Sequence, residues 1–149
     1  MKARDFLTRE ECRRVEAAIA AAERCTSGEI RIHVERKCSS DPRERALRSF
    51  HFLGMTGTAT RNAVLIYVAC ESRKFAVLGD KGINEAVPAG FWNDVCTVLG
   101  EAFSAGRQAE GLERAVTLVG EKLKAFFPYR EDDVNELPDE ISFDENEED

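Results

Sequence analysis

Helical and strand-like spacings of apolar residues follow one another along the first half of the chain. Thr8 and Glu11 have the spacing of a capping box, and the apolar face that follows them predicts a first helix over residues 9–24. Strict alternation of apolar and polar residues over 29–36 predicts a strand with one buried face, which we place near an edge of the sheet. The folded part therefore begins with a helix and a strand.

A second helix and two further strands follow. Asp41 and Pro42 supply an N-cap and a first-turn proline, and the apolar stripe after them predicts a helix that ends at Gly54. Residues 63–70 are apolar on both faces, which is typical of a central strand. Residues 74–78 resume a strand after a short polar connection, so these two strands should form an antiparallel hairpin. Because a helix separates the first two strands, those two should pair in parallel.

The remaining segments complete an α/β fold. We predict a loop over residues 79–84, a helix opened by Pro88 and a last helix that ends before Pro128. The expected architecture is a helix-flanked three-layer sandwich with a mixed, mostly parallel-plus-hairpin sheet, with residues 63–70 at its centre. We assign residues 1–129 to this single domain.

Charge divides the chain into a folded body and an acidic tail. The net charge is −7, but residues 130–149 hold eleven acidic residues and one basic residue, which leaves the body near +3. We predict that this tail is mostly disordered, because like charges repel and little can be buried. Three apolar residues of the tail could dock on the domain: Leu137, Ile141 and Phe143. Since the body shows neither a basic stripe nor a cationic face, we expect no nucleic-acid partner.

The N-terminal residues carry charges and no long apolar run follows them, so we expect a cytoplasmic monomer with no signal peptide or membrane segment. The five cysteines include no C-x-x-C pair and are interpreted as reduced thiols packed as small apolar residues. With two histidines, the chain has few ligands for a structural zinc site. We expect His33, on the polar face of the first strand, and His51, on a helix flank, at the surface.

Strand direction brings three polar segments to one rim of the predicted sheet. The first two strands begin there and the third ends there, with segments 26–29, 58–62 and 79–84 attached. Carboxylate and amide oxygens are ligands that Ca²⁺ and Mg²⁺ prefer. The predicted metal ligands are therefore Glu29, Asn62, Asp80 and Asn84. Two cationic residues beside them could face a phosphate: Arg61 and Lys81.

Simpler interpretations of the same residues stay open. Gly-Asp-Lys-Gly at 79–82 is also an ordinary turn sequence, in which Asp80 bonds its own backbone. Glu29 can be a solvated charge at a strand end, and Arg61 can pair with it. The chain contains no signature of dinucleotide binding, no Walker A loop, no serine-hydrolase elbow and no zinc-protease motif, so the sequence favours none of those classes.

Four short segments stand in a recognisable order and spacing. They are Thr-Ser-Gly-Glu-Ile at 26–30, Arg-Asn-Ala-Val-Leu-Ile-Tyr at 61–67, Arg-Lys-Phe-Ala at 73–76 and Gly-Asp-x-Gly-Ile-Asn at 79–84. Together they resemble the TPM-domain family in its short, anchorless form, over residues 8–128 and into 135–138. The resemblance implies a helix-flanked α/β sandwich, divalent-cation binding in several members, and the acid-phosphatase activity ascribed to a thylakoid relative involved in photosystem repair.

Two functional hypotheses follow. In the first, the domain is a metal-dependent phosphatase in which Glu29 and Asp80 hold the cation and Arg61 stabilises the charge of a phosphate ester. The catalytic residues are then Asp80 and Arg61. In the second, the domain is a non-enzymatic protein-interaction module whose rim holds a protein partner. A divalent cation, Ca²⁺ or Mg²⁺, is the cofactor that we expect at the rim.

Overall fold

The computed structural model describes residues 1–130 and 137–146, and within them the chain forms five α-helices and one four-stranded sheet. The helices are α1 (Arg9–Glu23), α2 (Pro42–Phe52), α3 (Lys81–Ala86), α4 (Phe91–Ser104) and α5 (Gln108–Phe126). The strands are β1 (Glu29–Glu35), β2 (Ala63–Ala69), β3 (Lys74–Gly79) and β4 (Ser142–Asp144). The first two helices begin at the predicted caps, since the side chains of Thr8 and Asp41 accept backbone N–H groups of the first turn.

The sheet has the strand order β3-β2-β1-β4, with β2 in its interior. Strands β1 and β2 are parallel, β2 and β3 form an antiparallel hairpin, and β4 is parallel to β1. Every residue of β2 is buried, because apolar residues pack on both faces of the sheet at this strand. The predicted mixed sheet with β2 at its centre is confirmed.

The two faces of the sheet carry separate apolar cores. On one face, the Ile and Val side chains of β1 pack with residues of α1, α4 and α5. On the other face, Leu65 and Tyr67 of β2 pack with Ala46 and Phe50 of α2. Helices on both faces confirm the three-layer α/β sandwich. All five cysteines are free thiols.

The prediction that β1 has only one buried face is wrong. β1 lies one strand in from the edge of the sheet, and β4 pairs with it over His33, Val34 and Glu35. His33 and Glu35 are therefore buried, and the prediction of a surface position for His33 is also wrong. The pairing segment comes from the far end of the chain, which the alternation within β1 does not reveal. His51 is exposed, as predicted.

The segment predicted as a loop over residues 79–84 is mostly helical. β3 ends at Gly79, and the side chain of Asp80 accepts the backbone N–H of Lys81 and so caps α3. The next helix, α4, begins at Phe91, three residues after the proline that was expected to open it. The residues that predicted a turn at Asp80 form a helix cap instead. A short polar side chain that bonds the nearby backbone occurs both in turns and at helix caps, so the sequence does not distinguish the two.

The C-terminal segment 137–146 packs along the edge of the sheet beside β1. The Glu145 carboxylate accepts the backbone N–H groups of Ala3 and Arg4 at 2.6 and 2.9 Å, and the Asn146 side chain bonds both backbone groups of Lys37. Leu137 and Ile141 are buried and Phe143 is half-buried, so the three apolar residues that could dock pack against the domain. The rest of the predicted acidic tail, 131–136 and 147–149, lies outside the described residues. Among the helices of the described ranges, none is both long and apolar enough to cross a membrane.

Candidate functional site

Glu29, Asn62 and Asp80 lie along one rim of the sheet, where β1 and β2 begin and β3 ends. Glu29 is the register partner of Ala63, and the backbone N–H of Asp80 donates to the carbonyl oxygen of Ala63 at 2.8 Å. Ala63 thus separates Glu29 from Asp80, and two strand spacings put their α-carbons roughly 10 Å apart. Strand alternation directs both side chains to the face that α2 covers, so the structure gathers the three predicted segments at one rim.

Arg61 holds the Asp80 carboxylate in a two-point ion pair. The Arg61 Nε atom lies 2.5 Å from Asp80 Oδ2, and Nη2 lies 2.8 Å from Oδ1. Oδ1 also accepts the backbone N–H of Lys81 at 2.8 Å. The Arg61 carbonyl oxygen in turn accepts the backbone N–H of Gly82 at 2.8 Å, which ties the loop before β2 to α3. The contacts of Asp80 in this conformation are those of a helix cap and an ion pair with Arg61.

Two buried oxygens at this rim have no hydrogen-bond partner among the described residues. Asn62 is 1% exposed and Thr58 is 4% exposed, and neither Asn62 Oδ1 nor Thr58 Oγ1 is hydrogen-bonded. The Asn62 Nδ2 group faces Ser27 Oγ at 3.5 Å, which turns the amide oxygen away from that hydroxyl. Buried polar atoms are normally bonded to protein groups or to ordered water, so each of these two oxygens can accept one further interaction.

Asn84 reaches the rim with its amide already engaged. Its Oδ1 atom accepts the indole N–H of Trp92 at 3.0 Å, and its Nδ2 group donates to the carbonyl oxygen of Gly79 at 2.8 Å. These bonds join β3, α3 and α4. In this conformation the Asn84 oxygen therefore holds Trp92 in place.

A group of carboxyls that the sequence did not indicate stands where β1 begins. Glu23, the last residue of α1, accepts the backbone N–H of Ile30 at 2.7 Å, and its carboxyl is hydrogen-bonded to Asp139. Burial, the Asp139 bond and the nearby charge of Glu29 together raise the pKa of Glu23 to about 10. Glu23 resembles any helix-end acid and Asp139 any residue of an acidic tail, so local sequence carried no signal for either residue.

A pocket of about 530 Å³ opens beside Asp80 at the same rim. Its cationic lining residues are Arg43, Arg61 and Lys81, and His51 also lines it. Arg61 and Lys81 are the two residues that the sequence placed beside a phosphate. Asp41, Glu44 and Asp80 also line the pocket, so acidic and cationic side chains balance there, and Arg43, Arg61 and Lys81 are the groups that could contact a small anion.

A second polar cluster lies at the other end of β1, roughly 20 Å away at the rise of an extended strand. His33 Nε2 stands 3.7 Å from Glu35 Oε1, and the Asp144 carboxylate of β4 completes a group whose ligand atoms all lie within 4.8 Å of one another. Tyr67 OH donates to Glu35 Oε2 at 2.6 Å, and Arg45 Nε does so at 2.9 Å.

This cluster also controls the ionisation of Glu35. Burial alone would raise the pKa of Glu35, but the adjacent imidazole of His33 and the hydrogen bonds from Arg45 and Tyr67 outweigh it and lower the pKa to about 2. Burial, together with the hydrogen bond to this carboxylate, raises the pKa of Tyr67. Glu35 is therefore a buried, ionised group at neutral pH. The sequence missed the cluster because a charged residue on a half-buried strand normally faces water.

Comparisons with known proteins define the class to which this fold belongs. A sequence profile of the TPM domain matches residues 1–122. The chain is similar to the BA42 protein from the psychrophilic bacterium Bizionia argentinensis, solved by NMR, with a TM-score of 0.86 and 42% identity over 93% of this chain and 95% of that chain. The N-terminal domain of the cg2496 protein from Corynebacterium glutamicum shares the fold, with a TM-score of 0.59 and 16% identity over 78% of this chain and 74% of that chain. No curated protein matches.

The fold is thus that of an α/β sandwich with its polar segments gathered at one rim, and the chain belongs to the TPM-domain family. The profile covers α1 to α5 almost completely, from the first residue into the last helix. The resemblance that the four short segments suggested is therefore confirmed.

Proposed function

We propose that this TPM domain binds a divalent cation, Ca²⁺ or Mg²⁺, at the rim of its sheet. The observation that carries the proposal is that two buried oxygens, Asn62 Oδ1 and Thr58 Oγ1, have no hydrogen-bond partner within the part of the chain that the structure describes. Leaving such an oxygen unsatisfied costs about 1 to 3 kcal/mol. Hard cations accept amide, hydroxyl and carboxylate oxygens together, and buried Glu29, the register partner of the residue after Asn62, supplies a carboxylate at the same rim.

The predicted ligands would take part unequally. Glu29 and Asn62 are the first ligands, because both are buried at adjacent strand starts. Asp80 joins them if Arg61, whose side chain is 45% exposed, swings into solvent and releases the carboxylate. Asn84 supplies its oxygen only if the bond from Trp92 opens. The cation would also reduce the repulsion among the carboxyls grouped around Glu29.

Adding Ca²⁺ or Mg²⁺ should raise the melting temperature of the wild-type protein. A ligand that binds only the folded state stabilises it by about 2.7 kcal/mol when present at 100 times its Kd. Glu29→Gln removes one charge at nearly constant shape and should remove most of this gain. Differential scanning calorimetry in chelator and in millimolar cation measures the effect, with the exposed Glu121→Gln in α5 as the matched control. An equal gain in wild type and Glu29→Gln would contradict the rim site.

We extend the proposal to phosphate esters as substrates, on the evidence of the rim pocket. Arg43, Arg61 and Lys81 line it and would bind the phosphate, with Arg61 held in place by Asp80. A bound cation would polarise a phosphoryl oxygen and activate water. His51 lines the same pocket, and its imidazole can hold the proton that a leaving group needs.

The extended proposal predicts cation-dependent hydrolysis of a generic aryl phosphate. Asp80→Asn keeps a side chain that can cap α3 but weakens the hold on Arg61, so it should lower turnover at least a hundredfold, as loss of an oriented charge-stabilising group does. Release of the aryl alcohol measures the rate, and Asp94→Asn on the exposed side of α4 is the control. Equal rates for wild type and Asp80→Asn would identify a contaminating enzyme.

The alternative function is a protein-interaction module. One observation favours it: Phe52, at the end of α2, is 89% exposed, and aromatic side chains are enriched at protein interfaces. A chain that binds the cation but hydrolyses no phosphate ester would support this alternative. Measurements of cation binding and of phosphate-ester turnover therefore distinguish the two functions. Cation binding tests the rim, and turnover tests the pocket beside it.

A further inference from the structure

The cluster of His33, Glu35 and Asp144 has the composition of a transition-metal site, distinct from the rim. His33 and Glu35 are buried on β1, and Asp144 is exposed on β4. Their ligand atoms lie within 4.8 Å of one another and open on a pocket of about 250 Å³. We propose that these three residues bind a divalent first-row transition metal, for which Zn²⁺ is the probe, and that the ion ties β4 to β1.

The orientation of His33 supports a metal ligand. Its Nδ1 atom lies 2.6 Å from Ser142 Oγ, so an Nδ1–H donor there leaves the lone pair of Nε2 directed towards Glu35. Nε2 and Glu35 Oε1 are 3.7 Å apart, which is too long for a hydrogen bond. Two atoms that each lie about 2.1 Å from one ion can be at most about 4.2 Å apart, so the observed separation fits shared coordination.

The other oxygen of Glu35 is fixed by neighbours. Tyr67 OH and Arg45 Nε both donate to Oε2, and Arg45 Nε also reaches Oε1 at the longer distance of 3.3 Å. Such outer bonds orient metal-binding carboxylates and histidines in proteins. Arg45 offsets one of the two carboxylate charges, those of Glu35 and Asp144, and Arg48 also lines the pocket. The coordination positions of the metal that no side chain fills would therefore suit water or a small anion.

One imidazole and two carboxylates form a ligand set of intermediate softness. Imidazole favours Zn²⁺ and its neighbours in the first transition row, whereas all-oxygen sets favour Ca²⁺ and Mg²⁺. The cluster and the rim lie at opposite ends of β1, so each site can be tested without the other. Because the ligands come from β1 and from the C-terminal strand, binding should also slow the detachment of β4.

NMR of the imidazole nitrogens tests the proposal directly, because the chain has only two histidines. The full chain carries Cys25→Ser to remove its exposed cysteine and is titrated with ZnCl₂ after chelator treatment. We expect His33 Nε2 to move into the metal-bound range while the exposed His51 stays unchanged. Amide hydrogen exchange across the β1–β4 pairing should slow at the same time.

Two variants and a control decide the assignment. Asp144→Asn, at an exposed position, should weaken Zn²⁺ binding at least tenfold without unfolding the protein. Ser142→Ala removes the orienting hydroxyl and should weaken binding about tenfold, as loss of an outer-shell partner does. The control is Glu140→Gln, an exposed acid of the same segment, which should bind as the parent does. The proposal is overturned if His33 Nε2 does not respond to Zn²⁺, or if it responds equally in Asp144→Asn.

Discussion

Replacing Arg45 by Met will destabilise the protein by roughly 3 to 5 kcal/mol, the usual cost of removing one partner of a buried ion pair. Arg45 donates to the Glu35 carboxylate, and the two side chains are 16% and 4% exposed. Methionine keeps the apolar stem of the side chain and leaves Glu35 with Tyr67 and His33 as its neighbours. Urea unfolding at pH 7 measures the loss.

The control for this prediction is Arg48→Met, an exposed position on the same helix. Its effect should stay within about 0.5 kcal/mol, as for most surface substitutions. Adding Glu35→Gln to Arg45→Met should recover part of the loss, because no ionised carboxylate then remains buried. If Arg45→Met were as stable as the wild type, the ion pair with Arg45 would not be what keeps buried Glu35 ionised.

The same ion pair sets an acid limit to stability. The pKa of Glu35 is about 2 in the folded protein, below its ordinary value of 4.5. Its contribution is therefore fully present above about pH 4.5 and is lost as the pH falls towards 2. The difference in unfolding free energy between wild type and Arg45→Met should therefore become smaller as the pH falls from about 4.5 towards 2.

Replacing Glu23 by Gln will make the protein more stable than the wild type above about pH 5. The difference in unfolding free energy between the two proteins should grow by up to about 1.4 kcal/mol for each unit that the pH rises. Burial, Asp139 and Glu29 raise the pKa of Glu23 to about 10 in the folded protein, against 4.5 ordinarily. Between these values the folded state holds one proton more than the unfolded state. The contribution of Glu23 is thus fully present below pH 4.5 and declines as the pH rises towards 10.

Glutamine reproduces the protonated acid without the need for a proton. Its carbonyl oxygen can accept the backbone N–H of Ile30, as Glu23 Oε2 does, and its amide can donate to Asp139. Urea unfolding in chelator at pH 6 and pH 8 should show the advantage of Glu23→Gln growing by up to about 2.7 kcal/mol. Glu121→Gln should show no such growth. Parallel pH profiles for wild type and Glu23→Gln would mean that Glu23 is ionised in the folded protein.

The sequence predicted the layers and the central strand correctly because both depend on local patterns. Residues 63–70 are apolar on both faces, and such a segment is stable only where neighbours cover both faces. The relative directions of β1, β2 and β3 then followed from their connections. A helix between β1 and β2 predicts parallel strands, and the short connection between β2 and β3 predicts an antiparallel hairpin. For this reason the placement of Glu29, Asn62 and Asp80 at one rim could be inferred from the sequence.

The contacts within the rim could not be inferred in the same way. Sequence placed Arg61 near both carboxylates, and only the structure shows it bound to Asp80. Asn84 illustrates the same limit, because its oxygen bonds Trp92 of α4. Which donor an oxygen meets depends on distances of a few ångströms between elements that are separate in sequence, and residue spacing does not encode those distances.

The sequence by itself determined four of the five α-helices of the described residues, the order and direction of β1, β2 and β3, and the family to which the chain belongs. Only the tertiary structure decided that β4 closes the sheet beside β1, that Asp139 reaches Glu23, and that His33 meets Ser142 across 109 residues of sequence. Periodicity records whether a residue faces the core or water within its own element. It carries no information about which distant segment covers that element, because such pairing depends on how the whole chain packs.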